Sequence, residues 1–178
     1  MKIGPDGLAS GARQIESPNQ DERPQGSAVT LLLLHCISLP PGQYGGDGIE
    51  RLFTNRLDPR AHPYFAEVAP LKVSAHFLVR RGGEVIQFVP VHKRAWHAGE
   101  SAWRGRPRCN DFSLGVELEG TDSASFDPAQ YQGLARLARA LRAVLPLRHF
   151  AAHSEVAPGR KSDPGAGFDW ARFLRAVL

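Results

Sequence analysis

The sequence predicts an α/β or mixed α+β fold, with strands and helices intermixed around one sheet in a single domain. Three observations lead there. A chain of 178 residues and 19.5 kDa suits one domain with one core. A composition of 42% apolar and 22% charged residues is that of ordinary globular proteins, which excludes wholesale disorder and a fibrous repeat. Short segments of period two alternate with segments of helical period, and no internal repeat runs through them.

Residues 1–27, rich in Gly, Pro, Ser and Asn, read as an N-terminal surface coil, which leaves 28–178 as the working domain. Ala28–Leu34 is a β-rich apolar run ending at His35, the pattern of a strand buried on both faces. It is the longest clean apolar run and far too short to span a bilayer. Residues 39–70 carry Pro40-Pro41-Gly42, Gly45-Gly46, Asp58-Pro59 and His62-Pro63, so an irregular segment is expected, with one short helical stretch around Ile49–Phe53. Segments this long inside small domains usually serve function. Val73–Arg80 reads as a strand with Val73, Ala75, Phe77 and Val79 on one face, joined through a two-residue Gly82-Gly83 turn to Glu84–Val89. Ser113–Leu118 alternates again, with Leu114, Val116 and Leu118 opposite Ser113, Gly115 and Glu117. The clearest helix runs from Pro128 to about Leu145. Asp127 is its N-cap, Gln130 completes a capping box, and Phe126 with Tyr131 forms a hydrophobic staple. Pro146 stops it, a short strand Arg148–Ala152 leads to His153, and Asp169–Leu178 reads as a terminal helix.

The formal charge of +4 comes from 22 Lys and Arg against 18 Asp and Glu. Most of the cations are arginines placed singly or in small groups, not interleaved with aromatics, so nucleic acid is not expected as a partner. Met1–Arg13 lacks the charged start, apolar stretch and small-residue site of a secretory leader, so a cytoplasmic location with no membrane partner is expected. Cys36 and Cys109 make neither a disulfide scaffold nor, alone, a zinc knuckle.

His35 and His153 each stand at the end of an apolar strand beside a Gly- and Pro-rich loop, a common place for reactive groups. After His153, two Pro-Gly type turns can fold the chain back and return Asp163 towards it. Two imidazoles and a carboxylate would hold Zn²⁺ with a fourth position open for water. Strand-end histidines are also common as hydrogen-bonded scaffold residues, and Asp-Pro is an ordinary turn starter. Spacing alone leaves both readings open.

Five ordered blocks narrow them. These are His35–Gly42, Ser74–Phe77, Arg94–Gly99, Cys109–Asp122 and Ala157–Trp170. Together they closely resemble the AmpD-type 1,6-anhydro-N-acetylmuramyl-L-alanine amidases of bacterial cell-wall recycling, from about residue 15 to the C-terminus. The resemblance implies the fold shared with peptidoglycan-recognition proteins, a central mixed sheet flanked by helices. It implies a monomer that takes a 1,6-anhydromuropeptide, with Zn²⁺ on His35, His153 and Asp163. It makes Glu117 the base for the zinc-bound water and Lys161, with zinc, the stabiliser of the oxyanion. Strand parity does not separate Glu117 from Glu119, so that choice rests on the resemblance. The substrate contacts it implies are Ala95, Trp96, Arg108 and Ala157. Two departures stand out: Cys36 where relatives are expected to carry Asn, and Lys72 where some carry Arg. Parity points Cys36 away from the site, and Lys72 loses the bidentate fork of Arg. The remaining histidines, His62, His76, His92, His97 and His149, are read as scaffold or surface residues. Two rival functions are a muropeptide-binding module without catalysis and an envelope amidase acting on polymeric peptidoglycan.

Overall fold

The structure, a computed structural model, describes residues 1–178. In chain order its elements are β1 (Arg13–Gln14), β2 (Gln20–Glu22), β3 (Leu31–Ile37), α1 (Gly48–Phe53), α2 (Pro63–Val68), β4 (Phe77–Val79), β5 (Val85–Gln87) and β6 (Lys93–Ala95). They continue with β7 (Ala102–Trp103), β8 (Arg106–Pro107), β9 (Ser113–Glu119), α3 (Pro128–Arg142), β10 (His149–Ala152), α4 (His153–Val156) and α5 (Trp170–Val177). Six strands form the main sheet in the order β1-β5-β4-β9-β3-β10. Every neighbouring pair is parallel except β4–β5, so the sheet is mixed, as expected. No helix is long and apolar enough to cross a membrane.

The apolar run explains the centre of this sheet. Leu31–Leu34 are fully buried, because β3 lies between β9 and β10 with both of its faces covered. Leu32 and Leu34 join Phe77, Val79, Leu114, Val116 and Leu118 under α3 and α5. Leu31 and Leu33 point the other way, into a cluster with Cys109, Phe112, Ala151 and Val156. A further cluster on that second face sets Leu78 and Ile86 against Ile49, Leu52 and Phe53 of α1 and Phe65 of α2. The helix signals of α3 hold: Gln130 Oε1 accepts from the Asp127 N–H at 3.0 Å, and Phe126 and Tyr131 both pack against Phe168. The Gln130 amide also donates to the Val79 and Glu119 carbonyls, locking the helix start onto the sheet.

Several expectations are corrected. Residues 1–27 are not simply a surface coil, since β1 extends the main sheet and β2 pairs with β6. Arg13 bonds both Glu50 and Glu84, and the buried Asn19 amide donates to the Val73 carbonyl at 2.7 Å. These are long-range contacts that no local pattern announces. The strand expected at Val73–Arg80 shrinks to β4. Ser74 N–H goes to the Trp96 carbonyl, and the chain turns so that Ala75 joins Leu78 rather than Phe77 and Val79. The following hairpin is closed by Arg80 N–H on the Glu84 carbonyl, with Gly83 at φ +82° accommodating the left-handed position of a three-residue loop. The 39–70 segment holds a second helix, α2, which starts with Pro63 after the capping side chain of His62. The α3 helix ends at Arg142, a few residues before Pro146.

Candidate metal centre and its cleft

Strand register assembles the site. Pairing of β3 with β9 sets His35 directly opposite Glu117, and pairing of β10 with β3 sets Ala152 opposite Leu34, so His153 emerges beside His35. Parity gives His35 the same side as Leu31 and Leu33, the second face of the sheet. The short α4 turns the chain immediately, with Glu155 accepting from the Ala152 N–H at 2.7 Å. The loop beyond it doubles back: Arg160 N–H and Lys161 N–H both reach the Ala157 carbonyl, and Ser154 N–H reaches the Asp163 carbonyl. Asp163 Oδ2 thereby lies 3.1 Å from the Nδ1 of His35 and 3.1 Å from that of His153, which are themselves 2.9 Å apart.

Two imidazole nitrogens and one carboxylate oxygen thus face a common point, a donor set that suits zinc. The remote nitrogens are engaged elsewhere: His153 Nε2 donates to the Ala98 carbonyl at 3.1 Å, and His35 Nε2 meets His97 Nδ1 at 3.0 Å. This leaves both Nδ1 atoms free to coordinate. Burial pushes the His35 imidazole down to about 4, so it is neutral at physiological pH, the form a metal requires. Burial raises the Asp163 carboxyl, but the adjoining His153 and His35 imidazoles outweigh it and hold the group below the usual carboxylate range. Glu117 Oε2 is buried with no hydrogen-bond partner, and burial, reinforced by the Asp163 charge, pushes its carboxyl well above its ordinary value. An orphaned carboxylate oxygen beside a converging donor set fits a centre completed by a cation and its water.

The centre opens into a cleft of about 530 Å³. Leu52 and Phe53 of α1, Tyr64 and Val68 of α2, and Leu71 form an apolar wall, most of it from the irregular 39–70 segment. Polar lining comes from Thr121, Asp122 and the loop carrying Lys161. Trp96 also lines the cleft. The other expected contacts are placed less directly. Ala95 is fully buried in the core and Ala157 nearly so, which leaves the neighbouring Trp96 side chain to face the cleft. Arg108 is exposed outside the cleft lining, with Nε on Asp111 at 3.1 Å. Lys72 is exposed beside Leu71 and Val73. Cys36 packs partly against the α3 side of the core, as parity requires, while also edging the cleft.

Two residues escaped the sequence reading. His97, taken as scaffold, is half-buried with its ring edge-on to His35. Arg160 reaches across from the Asp163 loop to the Ala98 and Glu100 carbonyls at 2.7 and 2.6 Å. Neither contact has a local signal, although both residues lie inside the recognised blocks.

The family model described as N-acetylmuramoyl-L-alanine amidase matches residues 25–166. The chain is 56% identical over 169 residues to the 1,6-anhydro-N-acetylmuramyl-L-alanine amidase AmpD of Escherichia coli (strain K12), covering 94% of this chain and 92% of that protein. Its fold matches a crystal structure of a Se-Met AmpD derivative with a TM-score of 0.97 and 52% identity over the whole of both chains. It also matches the E. coli amidase AmiD, solved in complex with the substrate anhydro-N-acetylmuramic acid-L-Ala-D-gamma-Glu-L-Lys. There the TM-score is 0.64 and the identity 29%, covering 88% of this chain and 61% of that one.

Proposed function

The chain belongs to the N-acetylmuramoyl-L-alanine amidases of the AmpD type, and we propose that it cleaves the amide joining the lactyl group of 1,6-anhydro-N-acetylmuramic acid to L-alanine, in cytoplasmic recycling of peptidoglycan, at a Zn²⁺ held by His35, His153 and Asp163. The observation that carries this reading is the convergence of Nδ1, Nδ1 and Oδ2 within 3.1 Å of one another, directly across a strand pair from an unpartnered carboxylate.

Zn²⁺ bound there would supply a Lewis acid and a water acidified to about neutrality. Glu117, register partner of His35, takes the proton of the attacking water and returns it to the leaving nitrogen as the C–N bond breaks. Its elevated proton affinity suits both halves of that exchange. Lys161, in the polar lining, faces its ammonium to the oxygen that becomes negative in the tetrahedral transition state. Trp96 supports the sugar, and the apolar wall of α1 and α2 covers it. Arg108 meets a stem-peptide carboxylate from the rim, giving up Asp111 to do so.

Metal content of the purified protein, measured beside hydrolysis of anhydromuramyl-tripeptide, tests the reading. One zinc per chain is expected, with activity lost on chelation and restored by zinc. His153→Ala should lose both zinc and activity, and a His153→Ala protein still holding zinc at full occupancy refutes the ligand set. Comparable turnover of intact sacculi and soluble anhydromuropeptide would favour the envelope amidase instead.

A further inference from the structure

We infer that His97 is a positioning residue for the metal centre: its Nδ1 takes the hydrogen bond of His35 Nε2 and so turns the bare Nδ1 of His35 to the point shared with His153 and Asp163. This rests on the zinc reading above and extends it to residues outside the ligand set.

The argument is a chain of hydrogen bonds whose direction is fixed at its far end. Ser113 Oγ lies 2.6 Å from the Cys109 carbonyl, which can only accept, so the hydroxyl proton is committed there. The Ser113 oxygen, 3.3 Å from His97 Nε2, is then left to accept, and His97 carries its single proton on Nε2. His97 Nδ1 is therefore a bare acceptor, and the atom 3.0 Å from it, His35 Nε2, must be the donor. A neutral His35 with its proton on Nε2 has its lone pair on Nδ1, the nitrogen that faces His153 and Asp163.

The surroundings hold His97 to this task. Its own N–H and that of Ala98 both reach Asn110 Oδ1, at 3.2 and 2.9 Å. Its ring stands edge-on to His35, with centroids 5.1 Å apart. It lies over Gly115, where any Cβ would run into the ring, so the strand opposite Leu33 is bare to make room for it. The next residue does the same work for the other imidazole: the Ala98 carbonyl accepts His153 Nε2 and is braced by Arg160 from the loop that carries Asp163. One backbone segment thus orients both imidazoles.

Zinc affinity of the full chain, read by competition with a chromophoric chelator, tests this, with the absorption spectrum of the Co²⁺-loaded protein reporting geometry at the ion. His97→Phe keeps the ring but not the acceptor and should weaken zinc about 10- to 100-fold. His97→Asn sets a carbonyl oxygen near the lost Nδ1 and should recover most of that loss. Ser113→Ala touches no ligand, yet frees His97 to take the other tautomer, and should weaken zinc in the same direction by a smaller factor with an altered Co²⁺ spectrum. Ser113→Ala keeps the test open if His97→Phe fails to fold. Wild-type zinc affinity in His97→Phe and Ser113→Ala, with only the unfolding midpoint of the metal-free protein lowered, overturns the inference and reduces His97 to packing. A wild-type chain that binds no zinc overturns the metal reading first, so the two failures are distinct.

Discussion

Glu117 and Glu119 leave the same strand in the same direction, two residues apart, and end in opposite circumstances. Glu119 is saturated. Its Oε1 accepts from Arg80 Nη1 at 2.7 Å and from the Gly45 N–H at 2.8 Å, and its Oε2 accepts from the Arg81 N–H at 3.1 Å. Arg80 continues to Glu50 at 2.7 Å, and Glu50 to Arg13, so the carboxylate anchors a charged clasp that ties the 39–70 segment to the sheet. Glu117 has an unpartnered buried oxygen and the proposed metal centre beside it. A carboxylate whose lone pairs are filled by fixed donors is committed to holding the fold, whereas one destabilised by burial and by the Asp163 charge is open to taking a proton. Strand parity groups the two residues, and the census of hydrogen-bond donors separates them.

The largest expected effect breaks or confirms that contrast directly. Glu117→Ala should retain zinc and lose on the order of 10²–10⁴ in kcat, the usual scale for a positioned acid and base. Glu119→Ala should cost far less in kcat of the folded enzyme. Steady-state kinetics beside metal analysis decides the matter, and equal losses at the two positions would dissolve the distinction.

The next effect sharpens the catalytic side. If the Lys161 ammonium meets only the developing oxyanion, Lys161→Met should lower kcat and kcat/KM together with KM little changed. The expected loss is on the order of 10²–10³. Lys161→Arg is a poor control, because a planar fork does not reproduce a compact point charge. A Met variant with near wild-type kcat at saturating substrate would make Lys161 a solvated loop residue.

The catalytic region was far more legible in the sequence than the clasp. His35 and Glu117 lie near the C-terminal ends of strands, and His153 just past one, whose apolar alternation is local, so their side-by-side placement follows once β9, β3 and β10 pair in register. Turn chemistry allowed Asp163 to return towards His153, but its choice as a ligand, like that of Glu117 as base, rested on the family resemblance. The clasp instead joins residues 13, 45, 50, 80 and 119 through charged contacts that leave no periodicity. The N-terminal strands and α2 were missed for the same reason, since two- and six-residue elements held by distant partners carry little pattern of their own. Even so, parity alone could not choose between Glu117 and Glu119, and the donors that settle Glu119 come from the part that was hardest to read.

The clasp side is tested by stability. Glu119 and Arg80 are both nearly inaccessible to solvent, so Glu119→Ala leaves a buried guanidinium with Glu50 as its one remaining carboxylate and unpairs the N–H groups of Gly45 and Arg81. With Glu50 still on Arg80, the cost should fall short of the about 3–5 kcal/mol of a wholly uncompensated buried charge, at about 2–3 kcal/mol. Urea unfolding should show a loss of that size, with KM rising more than kcat falls as the apolar wall of the cleft loosens. A loss below about 1 kcal/mol, the worth of an ordinary surface pair, would remove Glu119 from its anchoring role.

The smallest effect lies at the outer end of the same clasp and depends on pH. The Glu50 carboxyl is held below its ordinary value, first by the hydrogen bond from Arg13 and then by that from Arg80, against a cost of burial. A carboxyl with a depressed folded-state pKa binds its proton less readily when folded than when unfolded. Its contribution to stability is therefore complete above the unfolded value of about 4.3 and disappears as the pH falls through the folded one. The difference in unfolding free energy between wild type and Glu50→Gln should stay level from neutrality down to about pH 5 and shrink on further acidification. Arg13 is 45% exposed, so water and salt screen its half of the interaction, and the plateau should not exceed about 1 kcal/mol. Raising the ionic strength should lower the plateau for Glu50 while leaving the Glu119→Ala loss nearly unchanged, because only the outer link of the clasp is wet. A difference that grows as the pH falls would mean that the folded state raises the Glu50 pKa, and the clasp would then not be held by charge at its rim.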